Sequence, residues 1–207
     1  MNIEILLAFI ISSVILTLTP GPDIIYVISQ SITKGKKAAI TVSLGLTSGL
    51  IIHTFFVVIG LSFLISQNEV FFFVLKLIGG GYFFYLAYKS IRKKESTSMV
   101  SKKKISDNFF KTGLLMNLLN PKVSIFFIAL FPGFIFHEMW SNEIQFTILG
   151  FIFWLQSTLI FILISIFSKK IKNLISTEKV KENKIKLIEA LVYICLLYTS
   201  DAADDCR

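Results

Sequence analysis

A proline-glycine-proline break in the first apolar stretch constrains the fold more than any other feature of the chain. This stretch is almost wholly apolar or weakly polar over 29 residues, from Ile3 to Ser31. As one unbroken helix it would be about 44 Å long, against about 30 Å for the hydrocarbon core of a bilayer. Pro20 and Pro22 lack backbone N–H donors and clash with the preceding turn, while Gly21 between them permits an unusual backbone angle. We therefore predict two half-helices that meet at this break.

The break has a counterpart about half a chain later. The second one is the segment Asn117-Leu118-Leu119-Asn120-Pro121-Lys122. Backbone groups freed at bilayer depth are tolerated only where protein or a water-filled cavity satisfies them. Discontinuous helices at corresponding positions in two halves are typical of transporter binding sites. The pair of breaks therefore predicts a binding site between them.

The composition indicates a polytopic membrane protein. Hydrophobic residues make up 54% of the chain and charged residues only 16%, whereas a soluble domain has about 25% charged residues. The net charge of +8 could indicate a nucleic-acid-binding surface. The basic residues lie in short loops between apolar segments, however, so they are better explained as signals that orient the chain in the membrane.

Hydropathy predicts an all-α bundle of six spans, arranged as two inverted three-helix halves with broken first and fourth helices. The predicted spans are Ile3–Ser31, Ala38–Ile65, Val70–Ile91, Phe109–His137, Ile144–Phe167 and a sixth from Ile185 onward. The segment from Cys195 resembles the translation of a sequencing adapter. We therefore expect one native domain over residues 1–194, with a truncated sixth span, halves of about 1–94 and 109–194, and a non-native tail over 195–207.

The loop charges predict the orientation of these spans. The loops after the first, third and fifth spans are rich in lysine and arginine. In the loops after the second and fourth spans, the only residues with a formal charge are acidic: Glu69, Glu138 and Glu143. Because basic short loops stay in the cytoplasm, we expect a multi-pass protein of the cytoplasmic membrane with its N-terminus outside.

One ionisable residue away from the ends of each of the first three predicted spans is a candidate for function. Asp23, directly after the first break, could carry a proton, pair with a substrate ammonium, or cap the second half-helix. Unperturbed histidine has a pKa near 6.5, so His53 would suit proton exchange, but it could also be a hydrogen-bonded structural residue. Lys76 could extend to the outer interface, or face a cavity and neutralise a carboxylate.

The second break and two glycine-rich segments supply the other candidates. Asn117 and Asn120 could satisfy freed backbone groups or bind polar ends of a zwitterion. Lys122 at that depth is expected to face the bundle interior or a cavity. Gly45–Gly49 and Gly79–Gly81 predict close helix packing or dimerisation, so a homodimer is compatible with the sequence.

These motifs together resemble the lysine-exporter / homoserine–threonine-resistance (LysE/RhtB) family of amino-acid efflux proteins. The resemblance covers essentially the whole native chain. It is carried by Thr19-Pro20-Gly21-Pro22-Asp23, by Gly45 to His53 with Gly60, by Lys76 with Gly80 and Tyr82, and by Asn117 with Asn120-Pro121-Lys122. It implies a proton-coupled exporter whose substrate and proton site is formed by the residues Thr19, Pro20, Gly21, Pro22, Asp23, His53, Lys76, Asn117, Asn120, Pro121 and Lys122.

We expect transport rather than catalysis, and no cofactor. The chain has no metalloprotease motif, no nucleophile elbow and no phosphate-binding loop, so a gradient would have to drive the transport. The expected partners are a small amino-acid-like substrate, protons and the lipid bilayer, without nucleic acid. Two alternatives are a divalent-cation exporter, which would need several carboxylate or sulfur ligands within the membrane, and a membrane subunit without transport of its own.

Overall fold

The computed structural model describes residues 2–61, 69–92 and 108–177 of the chain. Every regular element within these ranges is helical, as predicted. The α-helices are α1 (Ile3–Leu18), α2 (Pro22–Thr33), α3 (Lys36–Phe56), α4 (Glu69–Arg92), α5 (Phe109–Leu118), α6 (Pro121–Ile125) and α7 (Asn142–Thr177). Helix α3 continues into a π-helical turn, Val57–Leu61. Helix α6 continues into a π-helical turn, Phe126–Leu130, and then a 3-10 turn, Phe131–Phe134.

Up to four of the predicted spans meet the length and apolarity needed to cross a membrane. Two are continuous, Lys36–Gly60 and Asn142–Ser168. The other two are the bent pairs α1–α2 and α5–α6. The third predicted segment forms α4 but lies outside this set of four, and the sixth segment lies outside the described residues, as does the tail over 195–207. The six-span inverted layout therefore stays a prediction.

Both predicted helix breaks are confirmed. The axis bends by 55° between α1 and α2, and by 48° between α5 and the segment Pro121–Phe134, which begins with α6. In each case the second half-helix begins with a proline at its first position, Pro22 in α2 and Pro121 in α6. Proline suits this position because its missing N–H would have no helical acceptor there.

A cluster of buried aromatic rings packs the region beyond the second break. Phe9 of α1 lies in its centre, with ring centroids 5.4 Å from both Phe131 and Phe134, in edge-to-face geometry. Phe126 and Phe153 of α7 lie 5.4 Å apart in the same geometry. Such pairs add about 0.5–1.5 kcal/mol each beyond the burial of their area. The cluster therefore anchors α1 and α7 to the segment that follows α6.

Glycines bring α3 and α5 into backbone contact. A Cβ atom on Gly45 would lie 2.1 Å from the carbonyl oxygen of Phe110, and one on Gly113 would lie 2.2 Å from that of Val42. Gly79 of α4 likewise lies against Ala129, whose Cβ would be 2.0 Å away from a Cβ on the glycine. The predicted role of the Gly45 and Gly79 segments in close helix packing is thus confirmed within one chain.

Four buried serines join α2, α3 and α7. The Ser31 hydroxyl donates to the carbonyl oxygen of Ser165 at 2.7 Å and also contacts the Ser168 hydroxyl. The hydroxyls of Ser43 and Ser165 lie 3.0 Å apart. Hydrogen-bonded polar groups between apolar helices fix the register of those helices. This serine cluster therefore holds α2 and α3 against α7.

Candidate functional site

The first break leaves a backbone carbonyl without its helical partner. In an α-helix the carbonyl oxygen of Leu16 would accept from the N–H four residues later, and that residue is Pro20, which has no N–H. Helix α1 ends at Leu18, and its C-terminal carbonyls carry the negative end of the helix dipole. The break therefore creates a buried site that attracts a cation.

Lys122, which follows the second break, places its ammonium at this site. Its Nζ donates to the carbonyl oxygens of Leu16 at 3.0 Å and Thr19 at 3.3 Å, and lies 4.0 Å from Oδ2 of Asp23. Lys122 is only 6% exposed and Asp23 only 4%. The ammonium is thus held mainly by two carbonyls, with the carboxylate at a longer, ionic distance. This contact ties the two broken helices together.

The two charges occupy corresponding positions at the two breaks. Asp23 is the second residue of α2, directly after Pro22, and Lys122 is the second residue of α6, directly after Pro121. An acid therefore follows the proline at the first break, and a base follows it at the second. A repeat with two broken helices would produce this match.

At the first break the structure corrects one expectation, for Gly21, and excludes one of the alternatives given for Asp23. Gly21 has φ −145° and ψ 179°, an extended conformation open to any residue, so it is not needed for an unusual backbone angle. It is needed for space, because a Cβ there would lie 2.6 Å from Oδ1 of Asp23. Gly21 is also the N-cap of α2, so Asp23 does not cap the helix. The Asp23 carboxylate instead lies in the first turn, where Oδ1 accepts from the N–H of Ile24 at 3.0 Å and the helix dipole favours a negative charge.

Gly21→Ala is expected to impair both function and folding. The backbone already has a suitable angle, but the added Cβ would force the Asp23 carboxylate to rotate away from the Lys122 ammonium. We expect the free energy of unfolding to fall by about 1–3 kcal/mol, the usual range for overpacking, with loss of most transport. Thermal unfolding and vesicle efflux would measure the two effects. Gly81→Ala, with no described atom within 4 Å of the new Cβ, is the matched control; equal efflux by the two variants would contradict the assigned role of Gly21.

Asn120 and Asn117 organise the second break. Asn120 is the N-cap of α6, and its Oδ1 accepts from the backbone N–H of Lys122 at 3.1 Å. The expectation that an asparagine satisfies a freed backbone group is therefore confirmed for Asn120. The side chain of Asn117 packs directly on α3, because a Cβ on Gly49 would lie 2.4 Å from its Oδ1. Gly49 thus makes room for a site residue.

His53 lies one helical turn beyond Gly49 and also meets the second break. Its imidazole interacts with the backbone of Asn117, whose carbonyl oxygen also accepts from the N–H of Asn120 at 3.0 Å. The ring is half-buried and stacks on Phe127, with centroids 5.2 Å apart. Each break therefore has a cationic or protonatable side chain beside its backbone.

Three buried polar atoms at the second break have no hydrogen-bond partner among the described residues. They are Oδ1 of Asn117, Nδ2 of Asn120 and Nε2 of His53. Buried polar groups in proteins are nearly always satisfied, and an exception needs an explanation. Each of the three could take part in a hydrogen bond with a bound polar group.

One predicted site residue cannot be placed, and two groups near the first break were not predicted. Lys76 belongs to α4, but its side chain is outside the part of the chain that the structure describes. The first group that sequence reasoning missed is the Leu16 carbonyl, although the position of Pro20 was an available signal for it. The second is the hydroxyl of Ser157, which lies 2.9 Å from that of Thr17. Within residues 2–61, 69–92 and 108–177, no group of three or more His, Cys, Asp or Glu side chains is placed to hold a metal ion.

The described residues form apolar helices with two breaks, each followed by a buried charged residue. This architecture is that of a helical membrane protein and is typical of transporters. The sequence model of the LysE type translocator matches residues 14–197. The chain therefore belongs to the LysE family of membrane translocators, as the resemblance predicted.

Several relatives are about a third identical to this chain over the residues that align. It is 32% identical over 152 residues to the homoserine/homoserine lactone efflux protein of Salmonella typhimurium, covering 72% of this chain and 73% of that protein. An uncharacterised membrane protein of Vibrio cholerae is 31% identical over 154 residues, covering 72% and 74%. The threonine efflux protein of Escherichia coli is 32% identical over 130 residues, covering 59% and 62%. No solved structure matches the chain.

Proposed function

We propose that this protein is a secondary exporter that moves amino acids or their derivatives out of the cell by proton antiport. The observation that carries this proposal is the buried contact of Lys122 with the carbonyls of the first break and with Asp23. Ionisable groups this deep in apolar helices are costly and usually serve function. Relatives named for homoserine and threonine efflux support amino acids as the substrate class.

The two breaks match the polar ends of an amino-acid zwitterion. The C-terminal carbonyls of α1 and the Asp23 carboxylate suit an ammonium group. The N-terminal end of α6 suits a carboxylate, since its first N–H groups and dipole favour negative charge, whereas that of α2 already holds the Asp23 carboxylate. Oδ1 of Asn117 and Nδ2 of Asn120, which have no partner among the described residues, would bind a hydroxyl group, which can both donate and accept. A short, hydroxylated amino acid such as homoserine or threonine would suit these contacts.

Two residues are candidates for the proton carrier. Asp23 faces an ammonium and lies in the first turn of a half-helix, and loss of its charge would weaken the hold on a cationic group. His53 meets the other break and changes its charge near neutral pH when unperturbed. We assign the proton to Asp23 because it contacts the charge that ties the two halves together. With basic loops in the cytoplasm and the N-terminus outside, the substrate would enter from the cytoplasmic side.

Efflux from vesicles is the experiment that tests the proposal. Purified protein in proteoliposomes would be loaded with labelled homoserine, threonine, lysine or leucine, and release would be followed with and without an inward proton gradient. We expect release of at least one amino acid that the gradient accelerates. Asp23→Asn is expected to reduce this rate at least about tenfold, equal to about 1.4 kcal/mol, and to abolish its dependence on the gradient.

Glu4→Gln provides the matched control for Asp23→Asn. It makes the same carboxylate-to-amide change at an exposed position in the first turn of α1, so its efflux should equal that of the unmodified protein. If gradient-dependent efflux survives in Asp23→Asn, the protein is still an exporter, but His53 rather than Asp23 would be assigned as the proton carrier. Absence of efflux for every amino acid in the panel would contradict the proposed function.

A further inference from the structure

The ammonium of Lys122 occupies a site that an amino acid would also need. Three acceptors surround Nζ: the carbonyl oxygen of Leu16 at 3.0 Å, that of Thr19 at 3.3 Å, and Oδ2 of Asp23 at 4.0 Å. We call these three groups the ammonium cradle. A lysine ammonium carries three N–H donors, and so does the α-ammonium of an amino acid. The cradle does not distinguish between the two by charge or by number of donors.

The cradle is built into the fold rather than formed by Lys122. Pro20 removes the N–H that the Leu16 carbonyl would otherwise accept. Asp23 is held independently by the N–H of Ile24. Glycine at position 21 leaves space for the Asp23 carboxylate, since a Cβ there would lie 2.6 Å from Oδ1. The acceptors would therefore remain in place if the lysine side chain withdrew.

We infer that Lys122 is a tethered substitute for the substrate's α-ammonium, which fills the ammonium cradle in the empty carrier and is displaced when an amino acid binds. This inference rests on the proposed function for the identity of the substrate. Occupation by Lys122 keeps Asp23 paired while no substrate is bound, so that no buried charge is left alone. The displaced ammonium is then free to pair with the carboxylate of the same substrate. One cationic site is thus used by two ammonium groups in turn.

Competition of this kind predicts a new binding activity once Lys122 is shortened. In full-length Lys122→Ala, the cradle is vacant and should bind methylammonium, the smallest primary alkylammonium ion. At ten times its dissociation constant, methylammonium should raise the midpoint of thermal unfolding by about 3–6 °C in this variant. The unmodified protein should show no such shift, because its own lysine fills the site.

Two controls separate cradle binding from general effects of salt. Tetramethylammonium has the same charge but no N–H donor, so it should not stabilise Lys122→Ala. Adding Asp23→Asn to the variant removes one acceptor and the negative charge, and should abolish the response to methylammonium. A folded Lys122→Ala that ignores methylammonium, or an equal shift in the unmodified protein, would overturn the inference.

The ammonium cradle can still be tested if Lys122→Ala does not fold without a bound ion. Methylammonium or tetramethylammonium would then be supplied throughout expression and purification. Recovery of folded protein with methylammonium alone would support the cradle, and recovery with neither ion would overturn it.

A second arm uses the unmodified protein and tests the link to the substrate. Homoserine should shift its unfolding midpoint, whereas 2,4-dihydroxybutyrate, in which a hydroxyl replaces the ammonium, should not. If Lys122→Ala responds to methylammonium but the unmodified protein responds to no amino acid, the ammonium cradle is supported and the proposed function is contradicted. If the unmodified protein binds homoserine but Lys122→Ala does not respond to methylammonium, the proposed function is supported and the ammonium cradle is contradicted. The two failures are therefore distinguishable.

Discussion

Lys122→Met is expected to abolish export and to destabilise the protein by about 3–5 kcal/mol, the usual cost of removing one partner from a buried ion pair. Methionine keeps most of the side-chain length but has no donor for the carbonyl oxygens of Leu16 and Thr19. The Asp23 carboxylate, only 4% exposed, would lose the ammonium that it faces. Thermal unfolding in detergent and efflux from proteoliposomes would measure the two losses.

A double variant separates the cost of the unpaired charge from the loss of function. Combining Lys122→Met with Asp23→Asn removes both charges, so most of the lost stability should return while export stays absent. Two independent losses that simply add would show that Lys122 and Asp23 do not act as a pair. Full export by either variant would contradict their place in the transport site.

Gly45→Ala is expected to destabilise the protein by about 1–3 kcal/mol or more, the usual range for overpacking a tight contact. The added Cβ would lie 2.1 Å from the carbonyl oxygen of Phe110 and 3.0 Å from the backbone nitrogen of Leu114. Neither atom belongs to a side chain that could rotate away, so α3 and α5 would have to separate. Because Asn117 packs on the same face of α3 at Gly49, export should fall as well. Thermal unfolding and vesicle efflux are the measurements.

Gly81→Ala is the matched control, since it makes the same substitution inside a helix. No described atom lies within 4 Å of a Cβ at Gly81. There the alanine should stabilise the protein by up to about 1 kcal/mol, because glycine is the poorer helix former. The two substitutions should therefore have opposite signs. A Gly45→Ala protein as stable as Gly81→Ala would contradict the close packing of α3 on α5.

The helix breaks could be predicted from sequence because their cause is local. Proline lacks an N–H, and this holds whatever surrounds Pro20, Pro22 or Pro121. The position of Asn120 as an N-cap is similarly local, since an asparagine before Pro121 suits a helix start. Local chemistry thus gives the bends and much of the second break.

The contacts between the two broken helices could not be predicted, because they depend on how distant segments pack. Lys122 was expected to face the interior, but nothing near it in sequence indicates the carbonyls of Leu16 and Thr19 as its acceptors. Gly45 and Gly49 indicated close packing, yet their pattern is the same for a contact within the chain and for a dimer. The requirement for glycine at position 21 was attributed to backbone freedom, since the nearby Asp23 carboxylate becomes evident only in three dimensions.

Protection of a cysteine at the first break tests the central claim most directly, namely that substrate binds between the two broken helices. Cys195 and Cys206 would first be replaced by serine, and Thr19→Cys introduced as the reporter. Ser43→Cys in the serine cluster is the matched control, because Thr19 is 2% exposed and Ser43 is 1% exposed. A small methanethiosulfonate reagent would label each variant with and without saturating homoserine or threonine. We predict that the amino acid slows labelling at position 19 and leaves position 43 unchanged; protection at position 43 alone, or at neither position, would contradict a binding site at the breaks.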